Sequence, residues 1–333
     1  MRRPDRSPLP PEDVSAVAGL LDDPIVAVDV GSRDGVRGAW RSLLPNALLV
    51  GFDPDPDECT RLNAAAVDPD RERYEPFALG ATAGGAELHL TRDPQSSSLY
   101  PPNPAAIERY PELWRHEPTR TEAIALTTID DWTAGAGVKG VDTIKVDVQG
   151  AELDVLRGAR RAIAGARIVE TEVEFQELYS GQPLFCDVVS FMREQGLELW
   201  RLRELHHCGL SPAGRGEPVF GVGDYVEQTR LGGQLAWGNA IFVRGEMAQA
   251  APPADWQSRA RDACIASVFG FAELVEVGLR ASASTAPAAA ASTLDVALKS
   301  LQRRGRARRA EDLITRAPAH LRGFVGARLG RRA

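Results

Sequence analysis

The sequence has little of what would place it at once in a simple class. Its four cysteines, Cys59, Cys186, Cys208 and Cys264, are scattered through 333 residues and form no CxxC pair. That argues against a disulfide framework or a cysteine-built zinc module and fits a reducing cytoplasm. No run nears the ~18 apolar residues of a membrane-spanning helix. The first thirteen residues are polar and proline-rich, with no apolar signal core. Positive charge is not in excess. The formal net charge is -7, which does not suit a general nucleic-acid binder, and no specific nucleic-acid partner is expected. The turn after the first apolar run, Gly31 to Gly35, is not a GxGxxG dinucleotide fingerprint, and the one GxGxxG string, Gly135 to Gly140, precedes a strand instead of following one.

What is present is ordinary in bulk and specific in place. Apolar residues make up 44% and charged residues 26%, enough for a core of normal size. The length allows one large α/β domain with an extension. Ile25-Val26-Ala27-Val28-Asp29-Val30 is a continuous apolar run, the pattern of a parallel strand buried on both faces. It feeds Gly31-Ser32-Arg33-Asp34-Gly35, and the spacing then predicts a helix through Val36, Ala39, Trp40 and Leu43. A second strand, Leu48 to Phe52, ends at Asp53. A glycine-bearing strand-to-helix turn followed about twenty residues later by an acid at the next strand end is the arrangement that grips a ribose. Without GxGxxG, it points to a mononucleoside ligand rather than a dinucleotide.

The richest stretch is 142–156. Thr143 to Val146 reads as a buried strand, Gly150 permits a sharp turn, and Leu153, Val155 and Leu156 mark the apolar face of a helix. Ligands of open α/β sheets bind outside the carboxyl ends of the strands. Asp147, Gln149 and Glu152 are therefore expected on a cleft, with Glu152 as a structural or capping acid. Lys145, two residues before Asp147, shares its side of the strand and is an ion-pair candidate. Residues 166–175 give another strand, in which Glu170, Glu172 and Glu174 alternate with apolar residues. Glutamates are poor strand formers, so they are either cleft residues or an edge facing water.

Further strands are expected at 73–78, 86–91, 122–126, 197–202 and 236–243, and a helix at 185–195. Helix and strand alternate first and a β-rich finish follows, which predicts a mostly parallel sheet with an antiparallel edge pair. Residues 92–120 form a long loop with Tyr100, Tyr110 and Trp114, the type of segment that carries function or closes over a site. His206-His207-Cys208 could supply a base or metal ligand, but no other His or Cys has ligand spacing nearby. No metal is expected.

These motifs together resemble the FkbM family of S-adenosylmethionine-dependent methyltransferases. The resemblance rests on Ile144-Lys145-Val146-Asp147-Val148-Gln149-Gly150-Ala151-Glu152 with Leu156-Arg157-Gly158-Ala159. Asp29-Val30-Gly31, Gly51-Phe52-Asp53-Pro54, Ser97-Ser98-Leu99-Tyr100, Thr127-Thr128-Ile129-Asp130 and Glu172-Val173-Glu174-Phe175 support it. It spans about residues 25–245. Where the family has Gly-Ala-Asn-x-Gly, this chain has Gly31-Ser32-Arg33-Asp34-Gly35, and Asp53 stands for a more usual Glu. The resemblance implies a Rossmann-like class I methyltransferase fold, S-adenosyl-L-methionine as cofactor, and methylation of a hydroxyl on a sugar, glycolipid or natural-product acceptor. Asp29, Gly31, Gly35, Asp53, Ser98, Asp147 and Gln149 are the expected cofactor residues. Asp147, Glu172 and Glu174 are the expected catalytic carboxylates. An NAD-dependent oxidoreductase, or a non-catalytic nucleoside-binding member, stands as the alternative.

The expected organisation is an arm with a short helix over 1–24, the methyltransferase domain over 25–245 and a helical extension over 246–333. Within the extension, 281–291 reads as an Ala/Ser linker, Ser292 to Asp295 as a helix start, and Gly305 as an interruption. From Lys299 onward eleven Lys or Arg face only Glu311 and Asp312, so the tail is a candidate for contact with an anionic surface.

Overall fold

The structure is a computed structural model and describes residues 7–44, 46–210, 233–249 and 255–316, the side chains of 309–316 aside. The expected loop over 206–233 falls mostly, at 211–232, outside the described residues, as does the tail beyond Arg316.

The chain opens with α1 (Pro11–Ala18), which starts on proline with Glu12 and Asp13 in its first turn. Proline there lacks only an N–H that would be orphaned anyway, and acids suit a helix N-terminus. Next come β1 (Ile25–Val30), every residue of which is buried, and β2 (Ala47–Phe52). Between them only a 3-10 segment, Gly38–Leu43, forms where a full helix is expected. Helix α2 (Pro56–Ala64) is capped by Asp55, whose side chain accepts from the N–H groups of Asp57 and Glu58.

The strand expected over 73–78 divides. Its first part is β3 (Glu72–Glu75) in the main sheet. Its second is β4 (Ala78–Leu79), which pairs with β6 (Pro118–Thr127), itself antiparallel to β5 (Gly84–Thr91). Pro76 lies at the division and cannot donate to a ladder. Within the long loop sits α3 (Pro104–Arg109). Then follow α4 (Ile129–Gly135), β7 (Thr143–Val146), α5 (Glu152–Arg157), α6 (Arg160–Gly165), β8 (Ile168–Glu174), α7 (Phe185–Glu194), β9 (Leu197–Cys208) and β10 (Gln234–Arg244). The Thr-Thr-Ile-Asp motif is structural. Thr128 caps α4, and Asp130 accepts from the N–H groups of Arg161 and Ala162 in α6.

The main sheet has the order β3-β2-β1-β7-β8-β10-β9. Pairs from β3 to β8 are parallel, while β10 is antiparallel to both β8 and β9. One face of β1, β7 and β8, including Val28, Val146 and Val169, packs with Leu153, Ile163 and Met192 from α5, α6 and α7 in a single apolar cluster. Period-2 alternation leaves Asp29, Lys145 and Glu170 in one row on the opposite face.

Contacts divide the chain into two units: Ile25–Gly38 with Ala47–Glu246, and Met1–Pro24 with Ala39–Asn46 and Met247–Ala333. The second holds α1 with α8 (Trp256–Val268), α9 (Ala272–Thr285) and α10 (Ala288–Arg316). Its core includes Trp40 and Phe269, 6.4 Å apart. The tract 281–291, expected as a linker, is helical on both sides of a break at Ala286-Pro287. Alanine is the strongest helix former, which overrides the compositional reading. Ser292–Asp295 lies inside α10 rather than at its start, and the helix continues through Gly305.

Candidate functional site

The cleft lies at the carboxyl ends of β1, β2 and β7. It has a volume of about 860 Å³, and its walls include Gly31, Asp53, Ser98, Asp147 and Gln149. Gly31 is required by close approach. Its φ is +77°, and a Cβ there would lie 1.9 Å from the Asp147 carbonyl oxygen. The β1 turn and the β7 turn are therefore pressed together, backbone on backbone. Gly35 has φ +96° but does not reach the cleft wall.

Asp53 is almost fully buried. Its Oδ1 accepts from the Asp55 N–H at 2.9 Å, which leaves Oδ2 without a protein partner among the described residues. Burial raises its pKa, and the Arg33 guanidinium opposes that shift. Arg33, at the family's Asn position, makes a half-exposed contact of 3.4 Å with Asp55. It takes its place at the cleft rim beside the acid that ends β2.

Asp29 is placed differently from the other expected cofactor residues. It does not line the cleft. Its Oδ1 accepts from Lys145 Nζ at 3.2 Å, and its Oδ2 from the Arg37 N–H at 3.3 Å. Lys145 also lies 3.6 Å from Asp147 Oδ2. Burial works against the Lys145 ammonium, but the Asp29 and Asp147 carboxylates outweigh it and raise its pKa. Arg37 reaches across to Glu170 at 2.5 Å. The glutamates of β8 are not an edge facing water: β8 has neighbours on both sides, and Glu170 and Glu174 are buried.

Gln149 joins the site together. Its φ is +60°, a left-handed conformation uncommon for a residue with a side chain. From there Nε2 donates to Asp147 Oδ1 at 3.0 Å and to Glu172 Oε2 at 2.7 Å. Glu172 is half-buried and Glu174 buried. Both have pKa values well above the usual carboxylate range. Desolvation is the main cause, with Asp147 and Glu174 acting on Glu172, and Glu152 and Asp147 on Glu174. Glu152 is pushed up to about 7, again chiefly by burial. Its two oxygens accept from Val148 N–H at 2.8 Å and Gly150 N–H at 2.9 Å, so it holds the turn that presents Gln149. Side-chain oxygens of Asp147, Glu152 and Glu172 lie within 4.8 Å of one another, close enough to hold a cation. In this structure they are occupied by the Gln149 amide and those backbone N–H groups.

Tyr179, which sequence reasoning missed, is buried beneath Gln149. Its hydroxyl lies 2.8 Å from the Ser96 carbonyl and 3.3 Å from Gln149 Oε1. Its ring also meets His116, whose pKa burial lowers to about 4. The only signal was an aromatic a few residues beyond β8. The aromatic segment 92–120 is tied to the same region rather than poised as a free loop. Asn103 N–H donates to the Leu178 carbonyl at 2.9 Å, Ser180 N–H to Pro101 at 2.8 Å, and Tyr100 hydroxyl to Asp154 at 2.7 Å. Ser98 bridges to His89 through both backbone groups, and its hydroxyl accepts from the Tyr100 N–H at 3.0 Å. His206 stacks on Trp237 at 4.7 Å, and Cys208 is buried; neither belongs to a cation-binding group among the described residues.

The mostly parallel seven-strand sheet with its antiparallel edge is the Rossmann-like fold of class I S-adenosylmethionine-dependent methyltransferases. The methyltransferase FkbM domain matches residues 29–199, and the chain belongs to that family. Its cofactor is S-adenosyl-L-methionine. It is similar to the 2-O-methyltransferase NoeI of Sinorhizobium fredii (strain NBRC 101917 / NGR234), with 29% identity over 172 residues, covering 50% of this chain and 70% of that one. Among solved structures it resembles magnesium protoporphyrin IX methyltransferase from Synechocystis PCC 6803 at 12% identity and a TM-score of 0.31, over 71% of this chain and 79% of that one. A TehB-like methyltransferase from Corynebacterium glutamicum ATCC 13032 gives 12% identity and a TM-score of 0.31, over 70% and 87%. The oxidoreductase alternative is not favoured.

Proposed function

We propose that this enzyme methylates a hydroxyl oxygen on a sugar, glycolipid or natural-product acceptor. The observation that carries the reading is that Gln149 bridges Asp147, on the turn that closes against Gly31, to Glu172 on the neighbouring β8. When bound, S-adenosylmethionine supplies a sulfonium methyl for in-line displacement. Gly31 admits the close-packed backbone, and Asp53 Oδ2 accepts from a ribose hydroxyl. Ser98 and Gln149 complete the cofactor wall, while Asp29 acts one step back by fixing Lys145. Such alignment of two reactants can supply roughly 7–11 kcal/mol of a barrier.

A hydroxyl must also lose its proton, and we assign that to the Asp147, Glu172 and Glu174 carboxylates, of which Asp147 lines the cleft and Glu172 and Glu174 stand behind it. Burial raises Glu172 and Glu174 above the ordinary carboxylate range, which suits a proton acceptor working near neutrality. Among the described residues no helix is long and apolar enough to cross a membrane. We place the enzyme in a reducing cytoplasm, where its four unpaired cysteines are stable. The basic C-terminal segment is assigned to an anionic surface, and binding to anionic vesicles should weaken with salt. The test of the main reading is labelled S-adenosylmethionine incubated with enzyme and cell extract, with products read by mass spectrometry. A +CH2 product on oxygen supports it; methyl transfer only to nitrogen or carbon acceptors sinks it.

A further inference from the structure

The small sheet β4-β6-β5 is two-sided in an unusual direction. Partners across an antiparallel ladder share a face. The register therefore sets Ala86 with Ile124, Leu88 with Glu122 and Leu90 with Arg120 on one side. The other side carries Glu87 with Ala123 and His89 with Thr121. It is the leucine-bearing side that lines the cleft. Leu88, Leu90 and Ile124 are only half-buried there. The lane continues through Ala78, opposite Leu126 on β6, to Leu79 and the exposed Phe77 at the same cleft wall. Arg120 and Glu122, its polar flank, sit 2.7 Å apart and neutralise each other.

Two features say what this lane takes. It is continuous with the cofactor cleft, whose volume of about 860 Å³ is near the upper end of the roughly 300–1,000 Å³ of a single small-molecule site. Its charges are also self-compensated, so its occupant is apolar and uncharged. Resting on the hydroxyl-methylation reading, we propose that the lane holds the apolar arm of the acceptor. The acceptor is then amphipathic, with a hydroxyl-bearing head at Asp147, which Gln149 links to Glu172, and a hydrocarbon or ring portion lying on β5 and β6.

The test uses the full chain saturated with S-adenosylhomocysteine, titrated by calorimetry with hexyl, octyl and decyl β-glucoside below micelle formation. A fully buried methylene contributes about 0.8 kcal/mol, or roughly fourfold in affinity, so each two-carbon step should tighten binding by at least about fourfold. The double variant Leu88→Ser, Leu90→Ser should flatten the series while S-adenosylhomocysteine binds as before. A flat series on the unaltered enzyme overturns the proposal without relying on any variant's folding. A series equally steep in the variant also overturns it, because the chain then binds elsewhere. So does a variant that loses S-adenosylhomocysteine, because the lane then belongs to the cofactor. A steep series with no methyl transfer to any hydroxyl would sink the acceptor chemistry proposed above and leave the lane standing.

Discussion

Replacing Gln149 by alanine removes one amide that serves two carboxylates. Its Nε2 lies 3.0 Å from Asp147 and 2.7 Å from Glu172. A hydrogen bond to a charged group contributes about 1.5–3 kcal/mol, and one pKa unit corresponds to about 1.36 kcal/mol. Because the amide favours the ionised form, losing it raises Glu172 further above the usual range, where burial and Asp147 already hold it. The proton-accepting form is then lost at higher pH, and the acid limb of kcat/KM moves upward with it. A direct assay needs no acceptor: the side-chain carboxyl carbon of Glu172 is followed by NMR in 13C-labelled protein, with Glu172→Gln for assignment. Gln149→Gly is the control. It lacks the same amide but relieves the left-handed backbone, which costs a residue with a side chain about 1–2 kcal/mol. Both variants should show the same upward titration, with the glycine variant the more stable. An unmoved Glu172 titration in both would refute the bridging role. A shift in the alanine variant alone would assign the effect to the backbone.

Asp53→Ala removes the acceptor with an unpartnered oxygen on the cleft wall, and calorimetry should show S-adenosylmethionine binding weakened by about 10- to 100-fold, the worth of one or two charge-assisted bonds; unchanged affinity would remove Asp53 from the site. Gly31→Ala puts a Cβ 1.9 Å from the Asp147 carbonyl at φ +77°, so denaturant midpoints should fall and cofactor binding should be lost together. Gly278→Val places its Cβ 2.8 Å from the Arg259 carbonyl, which should lower the stability of the helical unit by about 1–3 kcal/mol, read as a drop in Tm with cofactor affinity retained. Glu152 titrates at about 7 when folded against 4.5 for an ordinary glutamate. A raised folded pKa stabilises fully below the unfolded value, and that contribution is lost as pH rises through the folded one. Stability should thus fall between about pH 4.5 and 7 by on the order of 3 kcal/mol, and the fall should shrink in Glu152→Gln.

Much of this enzyme is readable from short-range pattern. The β1 run, the 142–156 strand-turn-helix and the polar ends of their strands announce themselves because a buried parallel strand admits few polar residues except where a ligand needs them. Asp147 and Asp53 were visible for that reason, and Glu172 and Glu174 because glutamate in a strand needs an explanation. The Ala/Ser tract misled because composition speaks to backbone freedom, whereas helix formation there depends on alanine propensity and the packing of α9 and α10.

What the sequence alone determined is the alternation of the buried strands with helices, the polar residues at strand ends, and the family. Those follow from periodicity and local spacing, which act over a few residues. Which carboxylates meet was decided only in three dimensions. The pairing of β8 beside β7 brings Glu172 within 2.7 Å of an amide on the β7 turn, twenty-three positions away. Tyr179 beneath that amide, and the lane of leucines facing the cleft instead of a core, likewise exist only once strands have chosen neighbours. Nothing in local sequence specifies a neighbour; burial and register do.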